Sequence, residues 1–147
     1  MYTRRRLDEK KFIDVSNTLY NFDTTGTIQL LNGCSQATDY NDRIGRKIIV
    51  RSIQLRGLVY PLDTTTATSL CRMILLYDCQ TNGAAPAITD VITSATSTAP
   101  LNLNNRDRFK ILMDKQWAVA GVQANQAGSP TVHQFKKFKK YWLETIS

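Results

Sequence analysis

The chain has 147 residues, of which 42% are hydrophobic and 21% are charged, and this is the balance of one globular domain. No run of 18 or more apolar residues is present, and charged residues follow the basic N-terminus, so the sequence predicts neither a transmembrane helix nor a secretory signal peptide. The net charge of +7 and the isoelectric point near 9.5 favour a polyanionic partner. We expect one basic domain on the cytosolic or nuclear side of the membrane.

The positive charge is concentrated in three segments. Residues 1–11 and 43–56 each contain five lysines and arginines, and residues 132–147 contain four. Arginine forks match phosphate geometry, so the N-terminal run favours nucleic acid. The predicted binding residues of this run are Arg4, Arg5, Arg6, Lys10 and Lys11. For the C-terminal lysines, nucleic-acid binding and simple solubility remain equally open; these residues are Lys136, Lys137, Lys139 and Lys140.

Strand-forming residues dominate the first half of the chain, and polar turn residues fill the gaps. Phe12–Val15 and Gly26–Leu31 are short predicted strands. Lys47–Tyr60 is the clearest strand, and Pro61 ends it because proline has no N–H to donate. Alternation of period two predicts that its inward side chains are Ile49, Ile53, Leu55 and Val59.

The middle of the chain contains two further predicted strands. Ser69–Tyr77 is nearly continuous in apolar residues, which indicates a strand buried on both faces, although a short buried helix fits the same pattern. A long polar connection follows, with a brief helix around Ile88–Ile92. Phe109–Val119 alternates again, and residues 120–131 are predicted to form a loop. In the predicted strand Phe109–Val119, the inward side chains are Phe109, Ile111, Met113, Trp117 and Val119.

The last segment is ambiguous. Val132, Phe135, Phe138 and Tyr141 recur every three residues with lysines between them, which suits an amphipathic helix, and the alternation expected of a strand is poor. We predict a strand from about Lys139 onward, preceded by an irregular basic stretch. Several strands with long connections and no βαβ rhythm predict an all-β sandwich or barrel, and the long connections favour a Greek-key or jelly-roll arrangement.

The common catalytic and metal-binding patterns are missing from the sequence. His133 is the single histidine, so a catalytic triad would have to use it, and a structural role is the better interpretation. The carboxylates are dispersed, and there is no glycine-rich phosphate loop. Cys34, Cys71 and Cys79 match neither a disulfide framework nor a paired zinc spacing, and Cys71 is predicted to be a small buried hydrophobe. We therefore expect no enzymatic activity, no metal and no cofactor.

Several segments, in order along nearly the whole chain, carry a family resemblance. They are Phe12–Asp14, Leu30–Gly33, Arg43–Lys47, Ser52–Gly57, Cys71–Asp78, Pro86–Ile92 and Leu103–Phe109. In these segments the sequence resembles the capsid proteins of small circular single-stranded DNA viruses that encode their own replication initiator. More distantly, it is similar to the coat proteins of satellite tobacco necrosis-type viruses.

The resemblance implies a viral jelly-roll β-sandwich of two four-stranded sheets, sixty copies of which close into an icosahedral T=1 shell. Residues 1–11 would be a basic arm on packaged single-stranded DNA, and residues 12–147 would be the shell domain. Basic residues before the second strand would contact the genome or neighbouring subunits; these are Arg43, Arg46 and Lys47. The implied location is the virion, with the host nucleus or cytoplasm during assembly and no membrane partner.

The resemblance also has two departures. The family's arm is usually longer and richer in arginine, and its pattern continues through about three more strands after residues 143–146. We therefore expect this chain to end before the last strands of an eight-stranded fold, which would leave unpaired strand edges.

Two other classes of protein compete with the capsid interpretation. A non-catalytic β-barrel module that binds single-stranded nucleic acid would also be basic and aromatic, but it would remain a monomer or a small oligomer. A carbohydrate-binding or hydrolytic sandwich is the third candidate. The presence of only two tryptophans, Trp117 and Trp142, and the absence of paired carboxylates count against it.

Overall fold

The structure is a computed structural model that describes residues 11–16, 22–37, 42, 47–61, 68–120 and 132–146, without the side chains of residues 47 and 142–146. The chain divides into two compact units, one of residues 1–18, 30–53 and 139–147 and the other of residues 19–29 and 54–138. The elements are strands β1 (Lys47–Val59), β2 (Thr68–Asp78), β3 (Phe109–Ala120) and β4 (His133–Ile146), the short helix α1 (Ile88–Val91) and a single 3-10 turn at Leu103–Asn105. The predicted all-β class is confirmed.

The predicted elements agree with the structure in the middle of the chain. β1, β2 and β3 begin and end within one residue of their predicted bounds, and α1 lies where the brief helix is predicted. The predicted loop at residues 120–131 lies almost entirely outside the described residues. Periodicity therefore locates the strands that have a buried face.

Both early strand predictions are wrong. Residues 12–15 contain no strand, and Phe12 is 73% exposed. Residues 26–31 contain no strand either, and here a local turn gives the reason. The Asp23 carboxylate accepts hydrogen bonds from the backbone N–H groups of Thr25 and Gly26, at 3.0 and 2.8 Å, and Gly26 adopts a φ of 73°. A positive φ at Gly26 is incompatible with the extended backbone that the predicted strand Gly26–Leu31 needs at its first residue.

The predicted irregular stretch before Lys139 is also wrong, because β4 begins at His133. The aromatic ring of Phe135 stacks on Trp117 of β3, with the ring centroids 5.4 Å apart. The N–H of the His133 ring, at Nε2, donates to the backbone carbonyl of Ala118, at 2.9 Å. These two contacts hold the lysine-rich segment as a strand although lysine has a low strand propensity.

β2 and β3 form an antiparallel pair whose register changes once. Thr68 lies opposite Ala120 and Leu75 opposite Met113, but Leu76 lies opposite Ile111, so Leu112 is an extra residue in β3. Residues opposite one another share a face of the sheet, and a bulge therefore changes the phase of the alternation. As a result Phe109 and Ile111 lie on the opposite face from Met113, Trp117 and Val119, and the prediction of one inward face is wrong.

Each face of the β2–β3 pair carries its own hydrophobic cluster. The long connection at residues 79–108 folds over one face, where Val91, Ile92, Ala99 and Phe109 are buried. On the other face a second cluster consists of Val59 from β1, Cys71 from β2 and Val119 from β3, and Trp117 and Phe135 pack against it. β2 is covered on both faces, as its continuous apolar run predicts.

β1 and β4 form a second, two-stranded sheet. A Cβ atom on Gly57 of β1 would lie 2.7 Å from the Phe135 ring of β4, so these two residues share a face and glycine is needed there. Of the side chains predicted to point inward from β1, Val59 is buried at 3% exposure and Ile53 and Leu55 are half-buried. Ile49 is 55% exposed, which contradicts the prediction, and it belongs to neither of the two hydrophobic clusters of the described residues.

Two arginine–aspartate pairs hold the long connection against β2 and β3. Arg72 donates from Nε and Nη2 to the two carboxylate oxygens of Asp114, at 2.9 and 2.6 Å, and from Nη1 to the carbonyl oxygens of Ser97 and Ala99. The Gln116 side chain also donates to the Ser97 carbonyl, at 2.7 Å. This fork-shaped, charge-assisted geometry is the strong form of an ion pair.

The second pair lies where the connection joins the two strands. Arg108 donates to the two carboxylate oxygens of Asp78, at 3.0 and 2.8 Å. The Asp78 carboxylate also accepts from the backbone N–H of Gln80, and the backbone of Cys79 donates to the Arg108 carbonyl. Both ends of the connection are thus tied together.

Replacing Asp114 by asparagine tests the first pair. The hydrogen bond from Arg72 holds the pKa of Asp114 below the ordinary aspartate value, so the stability that it contributes is complete above the unfolded pKa of about 3.9. It is lost as the pH falls through the lowered folded pKa. We expect Asp114→Asn to reduce the free energy of unfolding by about 1–3 kcal/mol at pH 7. The deficit should shrink at low pH, as measured by urea denaturation at one protein concentration.

Asp107→Asn is the matched control, because Asp107 is fully exposed and its carboxylate lies 3.9 Å from Arg106. We expect no measurable change from it at either pH. Equal effects of the two variants, or an Asp114→Asn deficit that does not shrink with acid, would contradict the role given to this pair.

Candidate nucleic-acid interface

The positive charge of the chain is concentrated on one pair of strands. β1 and β4 together contain seven lysines and arginines and one glutamate. The net charge of these two strands is therefore +6, and that of the whole chain is +7. β2 and β3 contain three basic and two acidic residues, and the Arg72–Asp114 fork accounts for one of each. Charge is therefore segregated between the two sheets.

The pairing of β1 with β4 brings together two basic segments that are far apart in the sequence. Residues 47–56 belong to the second basic segment and residues 133–140 to the third. Sequence reasoning leaves the role of the C-terminal lysines open because it does not predict this pairing. All four of these lysines are exposed in β4: Lys136, Lys137, Lys139 and Lys140.

Few of the binding residues predicted from the sequence fall within the described part of the chain. Lys11 is described, and its Nζ donates to the backbone carbonyl of Asp42, at 2.7 Å. This contact places the last residue of the predicted arm next to Asp42, within the first unit. Lys47 is the first residue of β1, but its side chain is not described. Outside the described residues lie Arg4, Arg5, Arg6, Lys10, Arg43 and Arg46.

Two other polar side chains of the described residues, His133 and Cys71, have structural explanations. The His133 ring is used in the contact between β4 and β3. Burial raises the pKa of the Cys71 thiol, which agrees with its prediction as a small buried hydrophobe. Within the ranges that the structure describes, no group of three or more histidine, cysteine or acidic side chains could hold a metal ion, and no helix is long and apolar enough to cross a membrane.

The fold and the charge pattern define a basic, all-β protein, and comparison with known proteins identifies its family. Residues 2–141 match the satellite tobacco necrosis virus coat protein family, and the chain belongs to it. The chain is also similar to the coat protein of Maize white line mosaic Satellite virus, with 33% identity over 113 residues. The alignment covers 74% of this chain and 51% of that protein, so the chain spans about half the length of its curated relative.

Family membership settles part of what the sequence predicts. Membership of a viral coat protein family and an all-β fold of the jelly-roll class are confirmed. The matched family is the satellite tobacco necrosis virus type, which the sequence resembles more distantly than it resembles the capsid proteins of circular DNA viruses. The match is not to the capsid proteins of circular single-stranded DNA viruses, so that closer assignment is not supported.

Chemical acetylation of lysines tests whether the β1–β4 sheet is where a polyanion binds. We expect single-stranded oligonucleotide to protect Lys136, Lys137 and Lys140, because phosphates would cover the exposed ammonium groups. Lys110 and Lys115 on β3 are exposed as well and provide the internal control. Mass spectrometry of the acetylated protein, with and without oligonucleotide, gives the measurement. Equal protection of the β3 and β4 lysines would contradict a localised interface.

Proposed function

We propose that this coat protein self-assembles into a small icosahedral shell of sixty copies and packages a single-stranded nucleic acid through its basic residues. The observation that carries the proposal is the segregation of +6 of the charge onto the β1–β4 sheet, in a chain that belongs to a coat protein family. A concentrated positive surface binds a polyanion by releasing its counterions, without reading its sequence. Packaging of a genome requires binding of this kind.

Three groups of residues would share the phosphate contacts. The arm would contribute Arg4, Arg5, Arg6, Lys10 and Lys11. The segment leading into β1 would contribute Arg43, Arg46 and Lys47. The contact between Lys11 and Asp42 supports their joint action, because it holds the end of the arm beside the residue that precedes Arg43. The exposed lysines of β4, on the strand that pairs with β1, would contribute further contacts.

Phosphate contacts do not distinguish DNA from RNA. Single-stranded DNA is implied only by the resemblance to capsid proteins of DNA viruses, and the family match does not support that resemblance. The proposal is therefore limited to single-stranded nucleic acid, and parallel binding measurements with DNA and RNA oligonucleotides would identify which of them is preferred.

Self-assembly needs surface that can be buried against other copies. Several large apolar side chains in the described residues are mostly exposed, among them Phe12 at 73%, Leu30 at 65% and Leu103 at 70%. Contacts related by symmetry in a shell could cover such side chains. We propose that assembly takes place in the nucleus or cytoplasm of the host.

A salt series tests the role of the arm. Each phosphate contact to a single strand contributes about −0.7 to the slope of log affinity against log salt, so five contacts would give a slope near −3.5. Asp8 and Glu9 oppose the arm and make this an upper limit. We expect the triple variant Arg4→Ala, Arg5→Ala, Arg6→Ala to flatten the slope by about 2 while the subunit stays folded.

The double variant Lys110→Ala, Lys115→Ala provides the control, because it removes exposed charge from β3 and should leave the slope unchanged. If the triple variant had the slope and affinity of the parent, the arm would not be the packaging element, and the β4 lysines would replace it in the proposal.

A further inference from the structure

One face of the β1–β4 sheet is exposed along its whole length within the second unit. Gly57 and Phe135 touch and define the inward face, on which Val59 is buried. Alternation places the residues between them on the outward face, and all of these are exposed. From β1 and the residue that follows it, the outward side chains are Gln54, Arg56, Leu58 and Tyr60; from β4 they are Gln134, Lys136 and Phe138.

This outward face combines cationic and aromatic side chains. Phe138 and Tyr60 are each 56% exposed, and Leu58 is 59% exposed. Large apolar side chains such as those of phenylalanine and leucine are more often buried. Val59 and Pro61 are buried on either side of Tyr60, so the alternation continues past the end of β1. Arg56 and Lys136 provide two positive charges, and none of the seven side chains is acidic. The face is complementary to a polyanion that also exposes flat apolar surface.

A single-stranded nucleic acid meets both requirements. Its unpaired bases stack on exposed aromatic rings, while its phosphates contact nearby lysine and arginine side chains. Duplex nucleic acid offers the phosphates without free base faces. A second copy of this basic chain would lack the concentrated negative charge that the face favours.

We propose that this outward face, made of Arg56, Tyr60, Lys136 and Phe138, is a base-stacking site for single-stranded nucleic acid, separate from the arm. The inference rests on the proposed function and deepens it. The arm residues contact phosphates alone, whereas this face holds unpaired bases on a rigid sheet. The protein therefore distinguishes single strands from duplexes by means of the sheet and not by means of the arm.

The site is tested by equilibrium binding of the full chain to oligothymidylate and oligouridylate carrying a fluorescent base analogue. We expect Phe138→Ala to weaken binding about 5- to 150-fold, without changing the salt slope, and to abolish the quenching of the analogue that stacking causes. Phe138→Tyr should restore both. Arg56→Gln with Lys136→Gln should flatten the salt slope by about 1.4 and leave the quenching in place.

Matched controls come from the same unit. Phe22→Ala removes an exposed phenylalanine, and Lys110→Gln with Lys115→Gln removes two exposed lysines of β3; neither change should alter binding. Binding of a duplex of the same length should be insensitive to Phe138→Ala, because its bases cannot stack on the ring.

The outcomes separate this inference from the proposed function. If the parent binds no single strand in a salt-dependent manner, the proposed function fails. If the parent binds but Phe138→Ala and the Arg56/Lys136 variant match it in affinity, quenching and slope, the base-stacking site alone is overturned. Loss of assembly in Phe138→Ala with unchanged oligonucleotide binding would also overturn it, because the face would then be a contact between subunits.

Discussion

The guanidinium of Arg72 meets four oxygen atoms at once: both carboxylate oxygens of Asp114 and the carbonyl oxygens of Ser97 and Ala99. Its side chain is only 10% exposed, so these contacts satisfy a cation that is largely removed from water. They hold the long connection at residues 79–108 against one face of β2 and β3, where Val91, Ile92, Ala99 and Phe109 are buried. The other face of the strand pair remains for β1 and β4, whose contacts with it centre on Val59 and Phe135.

The same arrangement separates the charges of the molecule. The charged residues of β2 and β3 include two that neutralise each other in the Arg72–Asp114 fork, so this strand pair is nearly neutral, and it carries a hydrophobic cluster on each face. The excess positive charge lies on β1 and β4, whose outward side chains face solvent within the second unit. A coat subunit needs a core that folds independently of its genome and a surface that binds the genome without reading its sequence. Under the proposed function, β2 and β3 would meet the first requirement, and β1 and β4 would meet the second.

The sequence predicts the strands with one clear pattern and misses features that depend on contacts between distant residues. β1 and β2 follow from alternation and from a continuous apolar run. The sequence does not predict that the apolar side chains of β3 are divided between both faces, because the bulge at Leu112 depends on the register with β2. The start of β4 cannot be predicted from the sequence, because it depends on the stacking of Phe135 on Trp117 of a different strand. The basic N-terminal run is visible in the sequence, whereas the proposed interface on β1 and β4 depends on a pairing between segments about 80 residues apart.

We propose that this chain is a shell-forming subunit whose assembly encloses nucleic acid. Electron microscopy of the purified full chain, mixed with single-stranded nucleic acid, tests it most directly, with sedimentation of the same sample to count subunits. The account predicts closed particles of one diameter whose mass corresponds to sixty subunits, and nucleic acid inside them that resists nuclease. A protein that remained a monomer or a small oligomer at high concentration, while binding nucleic acid that nuclease still digests, would contradict it.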